Sequence, residues 1–196
     1  MNKTRISVIA ILLLFFSCAS IVYVYSKFRK NDMLSSDALL IAYEYITNND
    51  VTNGIRTIDD IIFKFPNTAA SYQARLIKSD ILIKMHMYND ALTVLKKVLK
   101  NGRPTIVRPL ANYRIIYAYD SKKDYFSAIA ASRRFIKEYS DHFLVRDVYM
   151  NLAENYLDVG FKNDAIKTFN ELIVKFPDSS ESKKAKLKLN CINKVN

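Results

Sequence analysis

Asp90-Ala91-Leu92, Ser127-Ala128-Ile129 and Asp164-Ala165-Ile166 decide the fold of this chain, because their alanines stand 37 residues apart. Gly54-Ile55 extends the series toward the N-terminus at the same 37-residue step. A fixed period of this length marks a stacked repeat array, in which each unit buries its apolar face only against its neighbours. Such an array is a binding surface before it is anything else.

The surroundings of each small residue repeat as well. Nine residues earlier stand Tyr45, Leu82, Tyr119 and Tyr156, and twelve earlier Ala42, Ser79, Ile116 and Ala153. One, four and eight residues later come Ile55, Leu92, Ile129 and Ile166, then Ile58, Leu95, Ser132 and Phe169, then Ile62, Leu99, Ile136 and Ile173. Apolar residues at three- and four-residue steps on both sides of a polar break predict two amphipathic helices per unit. The Gly or Ala marks their crossing, where a short interaxial distance leaves no room for a large side chain. Helices are expected near residues 34–47, 51–65, 69–86, 89–101, 107–120, 124–139, 143–158, 162–175 and 180–193. The breakers fit this map: Pro66, Pro104 and Pro177 lie between units, Gly102 and Gly160 at helix ends. Pro109 falls in a first helical turn, where its missing N–H costs nothing.

These positions resemble the tetratricopeptide repeat family, with the pattern small, Tyr or Leu, Ala, Phe or Leu, Pro running over roughly residues 35–178. Pro66 and Pro177 stand twelve residues past Gly54 and Ala165, as the pattern asks. The departures are a unit about three residues longer than the family's usual one, and the loss of its first-helix Trp to Ala38, Arg75, Asn112 and Tyr149. Its second Ala becomes Ile61, Val98, Phe135 and Leu172.

At the N-terminus, residues 6–25 carry no charge and include Ile11-Leu12-Leu13-Leu14-Phe15-Phe16 and Ile21-Val22-Tyr23-Val24-Tyr25. As a helix this run is roughly 30 Å long, enough to cross a hydrocarbon core. Three readings compete: an uncleaved anchor, a lipoprotein signal ending at Phe15-Phe16-Ser17-Cys18, or a cleaved secretory signal with Ser17-Cys18-Ala19 as its small-residue site. Phe16 fits a lipobox poorly, and the apolar run persists past Ala19, so the anchor is the working expectation. Lys3 and Arg5 nearly balance Lys27, Arg29 and Lys30 across the run; the short basic tail favours the cytoplasm, placing the repeats outside it. The expected architecture is therefore all-α: a single transmembrane helix within an anchor at 1–30, then over 31–196 a TPR-like α-solenoid of about four helix pairs and a C-terminal capping helix.

With 196 residues, the chain has enough length for a real core. Cys18 and Cys191 are its two cysteines and offer neither a disulfide framework nor a metal spacing. His86 and His142 fall at helix junctions with no second ligand at metal spacing. Asp59-Asp60 are adjacent on a helix, point about 100° apart and cannot share a proton. With no phosphate loop, nucleophile elbow or Cys–His–Asn set, neither an enzyme nor a cofactor is expected. The net charge of +11 is spread over groups such as Lys96-Lys97-Lys100 and Arg133-Arg134-Lys137 without a nucleic-acid fold signature. Anionic headgroups or an acidic partner account for it more simply, as does a solvated basic surface.

In TPR-like arrays the first helix of each unit lines the concave face. The positions eleven and fifteen residues before the small residue are Tyr43, Asp80, Tyr117 and Glu154, and Leu39, Leu76, Tyr113 and Met150. This set predicts an apolar, tyrosine-rich trough with two acidic spots, suited to an extended or helical peptide. The alternative is that part of the set packs against the neighbouring unit. Among the positions of a carboxylate-clamp member of the family, here Leu39, Tyr43, Ile77, Leu110 and Arg114, only Arg114 matches. The last helix reads as a cap, with Ser180 as its N-cap, Lys183, Lys184, Lys186 and Lys188 outward, and Ala185, Leu189 and Ile192 inward.

A membrane span followed directly by TPR-like units resembles the bacterial YfgM family of Sec translocon ancillary subunits, on Asn89-Asp90-Ala91-Leu92 and Asp124-Tyr125-Phe126-Ser127-Ala128. The stretches Phe135 to Asp141 and Ala165 to Ser180 also resemble the BamD and CpoB envelope families. The resemblance implies a non-catalytic adaptor in the bacterial inner membrane, its repeats periplasmic, binding a protein partner during secretion or envelope assembly. The runner-up is a lipoprotein held through Cys18 that scaffolds outer-membrane assembly. A third expectation is a cytoplasm-facing regulator that uses its basic faces on nucleic acid or acidic partners.

Overall fold

The computed structural model describes residues 3–102 and 105–194, with side chains placed for 16–102 and 105–192. Among these residues the chain is helical, without strands. The helices are α1 (Lys3–Thr47), α2 (Val51–Lys64), α3 (Ala69–Lys84), α4 (Tyr88–Asn101), α5 (Val107–Ser121), α6 (Tyr125–Glu138), α7 (Val145–Asp158), α8 (Lys162–Lys175) and α9 (Ser180–Lys194). The helix pairs follow the 37-residue period of the small residues.

Each first helix ends in the same way. Asn49, His86, Lys123 and Gly160 stand five residues before the four small positions, and all have positive φ, at 63°, 60°, 63° and 80°. The next residue's N–H returns to a carbonyl five residues back: Asp50 to Tyr45, Met87 to Leu82, Asp124 to Tyr119 and Phe161 to Tyr156, each at 2.8–2.9 Å. This left-handed stop satisfies the last carbonyls of the helix and reverses the chain. Only Gly160 takes the conformation without a Cβ penalty. The second helices then start at Asp50 and Asp124, whose carboxylates accept from the N–H of Asn53 and Ser127.

The helix crossings are tight at atomic distance. A Cβ added at Gly54 would meet Ile46 Cγ1 at 2.7 Å, while Ala91, Ala128 and Ala165 are wholly buried. Seven residues on, Ile61, Val98, Phe135 and Leu172 are buried too. These positions lie about two turns beyond the crossing, where large apolar side chains fill the core. Each such side chain contributes about 1.5–3 kcal/mol by leaving water.

The helices divide into two compact bodies, residues 1–74 and 75–196, with the division inside α3. In the first, α1 packs on α2. In the second, α4 packs on α5, α5 on α6, α6 on α7, α7 on α8 and α8 on α9, with α9 also touching α7. An apolar cluster in it includes Phe135, Tyr149, Phe169 and Leu172.

Two expectations change. The N-terminal segment and the first repeat helix form one continuous α1 across residue 30, since residues 26–33 contain neither Gly nor Pro to interrupt it. The cap of α9 is Ser179, not Ser180: Ser179 Oγ accepts from the Ser182 N–H at 3.0 Å, while the Ser180 hydroxyl donates to Glu181 Oε1 at 2.9 Å. Ala185 is buried, with Leu189 and Ile192 packed on the cluster, as the cap pattern requires.

No helix among the described residues is long and apolar enough to cross a membrane. Of the span expected over 6–25, the side chains of residues 6–15 lie outside those described. From Phe16 to Phe28 every residue of α1 is exposed, including Ile21, Val22, Tyr23, Val24 and Tyr25.

Candidate protein-interaction surface

The positions expected to line a trough separate into three groups. Leu39 and Leu76 are core residues, 5% and 4% exposed, so at these positions the longer unit buries its leucine instead of offering it to a partner. Tyr113 and Met150 are half-buried against the apolar cluster of the second body. Burial raises the Tyr113 hydroxyl pKa, helped by the nearby Asp147 and Tyr117. Tyr43 and Tyr117 are open, 45% and 54% exposed. Tyr43 belongs to the first body and Tyr117 to the second.

The two acidic spots are occupied. Arg114 donates from Nε to Asp80 Oδ1 at 2.7 Å and from Nη2 to Oδ2 at 2.9 Å, while its Nη1 reaches the Leu110 carbonyl at 3.3 Å. This planar two-point pairing holds α5 to α3. Glu154 Oε1 meets Lys188 Nζ at 3.0 Å, tying α7 to α9. Both pairs link residues 34 apart, so the acid eleven residues before one small position meets the first helix of the following unit at the same register. Arg114, the single residue matching a carboxylate clamp, is thereby engaged within the chain. Lys188, expected to point outward, is engaged too. In this register α9 is the first helix of a further unit, which explains why a cap of this length fits.

Tyr117 opens into a cavity of about 440 Å³ lined by Asp80, Ile83, Lys84, His86, Tyr88 and Ser121. His86 holds its place through the left-handed turn and through Nδ1, which lies 2.7 Å from the Tyr88 hydroxyl. The cavity offers aromatic faces for an apolar side chain, with an imidazole, an ammonium and hydroxyls on its rim. Sequence reasoning found Tyr117 and Asp80 but missed His86 and Tyr88. Their signal was the repeat register, because they fall on the helix-reversing turn that every unit carries. A second depression of about 310 Å³ lies between α6, α7 and α8 and has a largely polar lining that includes Arg133, Asp164, Lys167 and Glu171.

A further polar group is built between α5 and α7. Burial raises the Asp120 pKa, opposed by hydrogen bonds from Asn155 and Asn151 and reinforced by Asp158 and Glu154. Asn155 is fully buried and donates to the Asn151 side chain and carbonyl, both at 2.8 Å. Among the described residues no group of three or more His, Cys, Asp or Glu is placed to hold a metal ion.

A family profile described as "YfiO: Outer membrane lipoprotein" matches residues 82–195. No curated protein matches the chain. Among solved structures, a tetratricopeptide repeat protein from Parabacteroides merdae aligns with a TM-score of 0.65 at 11% identity, covering 78% of this chain and 57% of its own. MamA from Desulfovibrio magneticus RS-1, residues 41 to the end, aligns with a TM-score of 0.60 at 19% identity, covering 77% and 80%. Another MamA structure aligns with a TM-score of 0.58 at 21% identity, covering 76% and 85%. At these identities the structural likeness establishes the repeat fold.

Proposed function

The chain belongs to the YfiO family, described as outer membrane lipoproteins, and on that premise we propose that it is a non-catalytic protein-interaction scaffold of the bacterial cell envelope, attached to a membrane through its N-terminal segment. The observation that carries the binding role is Tyr117, half exposed over the cavity between α3 and α5. An aromatic ring on a rigid helix gives contact area at low entropic cost, and Asp80, which lines the cavity, is held by its pairing with Arg114. The partner chemistry is a peptide segment with an apolar or aromatic anchor. Protein secretion or assembly of envelope proteins supplies such segments.

For the attachment, the family supports a lipid on Cys18, which is exposed on α1. A second reading is favoured by α1 itself. From Phe16 to Phe28 it is exposed on all faces and mostly apolar, a cylinder that water solvates poorly and a bilayer solvates well. Under that reading residues 6–25 form an inner-membrane anchor, with the repeats extracytoplasmic.

Both parts are tested by affinity purification from detergent-solubilised membranes, with quantitative mass spectrometry of the wild type against Tyr117→Ala. The binding role is supported if a defined set of proteins is lost while helicity is unchanged, and rejected if the two sets are equal. Palmitate labelling of Cys18→Ala separates the attachments. A lipoprotein takes up label in the wild type and loses it in the variant, whereas an anchored protein takes up none in either form and resists alkaline extraction in both.

A further inference from the structure

The first helix of every unit in the second body has one face covered by the second helix of the unit before it: α4 lies on α5, α6 on α7 and α8 on α9. Three positions recur in register on these first helices: Val107, Ala111 and Ile115 on α5, Leu144, Val148 and Leu152 on α7, and Glu181, Ala185 and Leu189 on α9; all but Leu144, Glu181 and Leu189 are buried, and these three are half-buried. On α1 the same register gives Met33, Asp37 and Ile41, with Leu34 and Leu40 beside them, and all five are exposed; Met33 is 62% and Ile41 49% exposed. This is a stacking face without its covering helix.

We propose that this face of α1 binds an amphipathic helix of another protein, seated as the second helix of a preceding repeat and running antiparallel to α1. The occupant is specified by charge as well as shape. The apolar stripe is interrupted by Asp37 and continues into Lys30 on one side and Glu44 on the other. A covering helix therefore needs a cation facing Asp37, since closing a carboxylate off from water without one is strongly unfavourable, and an acidic residue toward the Lys30 end. A second copy of this chain meets the demand badly. A twofold centred on Asp37 brings Lys30 to Glu44 and Met33 to Ile41, but sets two Asp37 carboxylates face to face. It also turns the two apolar Ile21–Tyr25 segments in opposite directions. The site is independent of the Tyr117 cavity, so either can fail alone.

The test uses the full chain carrying Met33→Cys or Ile41→Cys, with Arg56→Cys as an exposed control on α2. Maleimide labelling at each position is read by peptide mass spectrometry in native membranes, in detergent, and in vesicles of phosphatidylethanolamine and phosphatidylglycerol. The proposal expects labelling at both α1 sites to slow at least fivefold in native membranes only, with the control unchanged, and Asp37→Lys to abolish that protection. Equal rates in all three settings overturn it. Protection in protein-free lipid vesicles assigns the face to lipid, and disulfide-linked dimers of the double variant Met33→Cys/Ile41→Cys assign it to a second copy; either result also overturns it.

Discussion

Arg114 on α5 grips Asp80 on α3 through two nitrogen–oxygen contacts of 2.7 and 2.9 Å across 34 residues of sequence. Glu154 and Lys188 reproduce the separation two repeats later, with a single contact of 3.0 Å. The difference in geometry sets the difference in strength. The Arg114 side chain is 24% exposed, against 50% for Lys188. A double-mutant cycle on Asp80→Ala and Arg114→Ala is expected to give a coupling of about 1 kcal/mol, and the Glu154–Lys188 cycle no more than about 0.5 kcal/mol. Urea unfolding of the four variants of each cycle measures both, and the Lys188 coupling falls further in high salt.

Lys123 adopts a φ of 63° at the turn where Gly160 has 80°. A side chain with a Cβ is strained there by roughly 1–2 kcal/mol. Lys123→Gly is therefore expected to raise stability by roughly 0.5–1 kcal/mol, the relief exceeding the added freedom of the unfolded chain. A lower melting temperature would show that the Lys123 side chain contributes more than its backbone costs.

Ala128 and Ala165 sit at the helix crossings with no exposed surface. Ala128→Leu or Ala165→Leu forces the helices apart and is expected to cost about 1–3 kcal/mol. Unchanged melting would count against the register of the repeat.

Ser182 is buried, and its hydroxyl bonds the carbonyl oxygens of Phe176 at 2.6 Å and Leu172 at 3.1 Å, closing the end of α8. Ser182→Ala leaves those carbonyls without that donor and is expected to cost about 1–2 kcal/mol. Thermal melting and amide exchange at the C-terminal end of α8 report it.

The Asp120 carboxyl has a raised pKa in the folded chain, chiefly through burial. The folded state then binds its proton more tightly than the unfolded state, so this group's contribution is full below the ordinary carboxylate range and is lost as pH rises through the folded value. Relative to Asp120→Asn, the wild type is expected to gain stability as pH falls across that window. Parallel pH profiles for the two proteins would exclude the effect.

The fold was legible because the period is carried by size. Gly54, Ala91, Ala128 and Ala165 are small for a steric reason that any stacked helix pair shares, and helix boundaries followed from their spacing within a few residues. The interaction surface was less legible because its residues were assigned by unit geometry alone. Leu39 and Leu76 look like trough anchors in register but are core residues, since register tells which way a helix position faces on average and not how closely a neighbour covers it. His86 was read as a junction residue, and its place on the cavity rim depends on Tyr88 and Tyr117 meeting there from different helices.

Composition and order alone were enough to establish an all-helical repeat, its 37-residue step and the polar cap, because each rests on local periodicity and side-chain volume. Which charges are spent inside the chain could not be read that way. Asp80 and Arg114, or Glu154 and Lys188, are merely polar residues on separate helices until packing brings one repeat onto the next, because their pairing is a long-range consequence of how the helices nest.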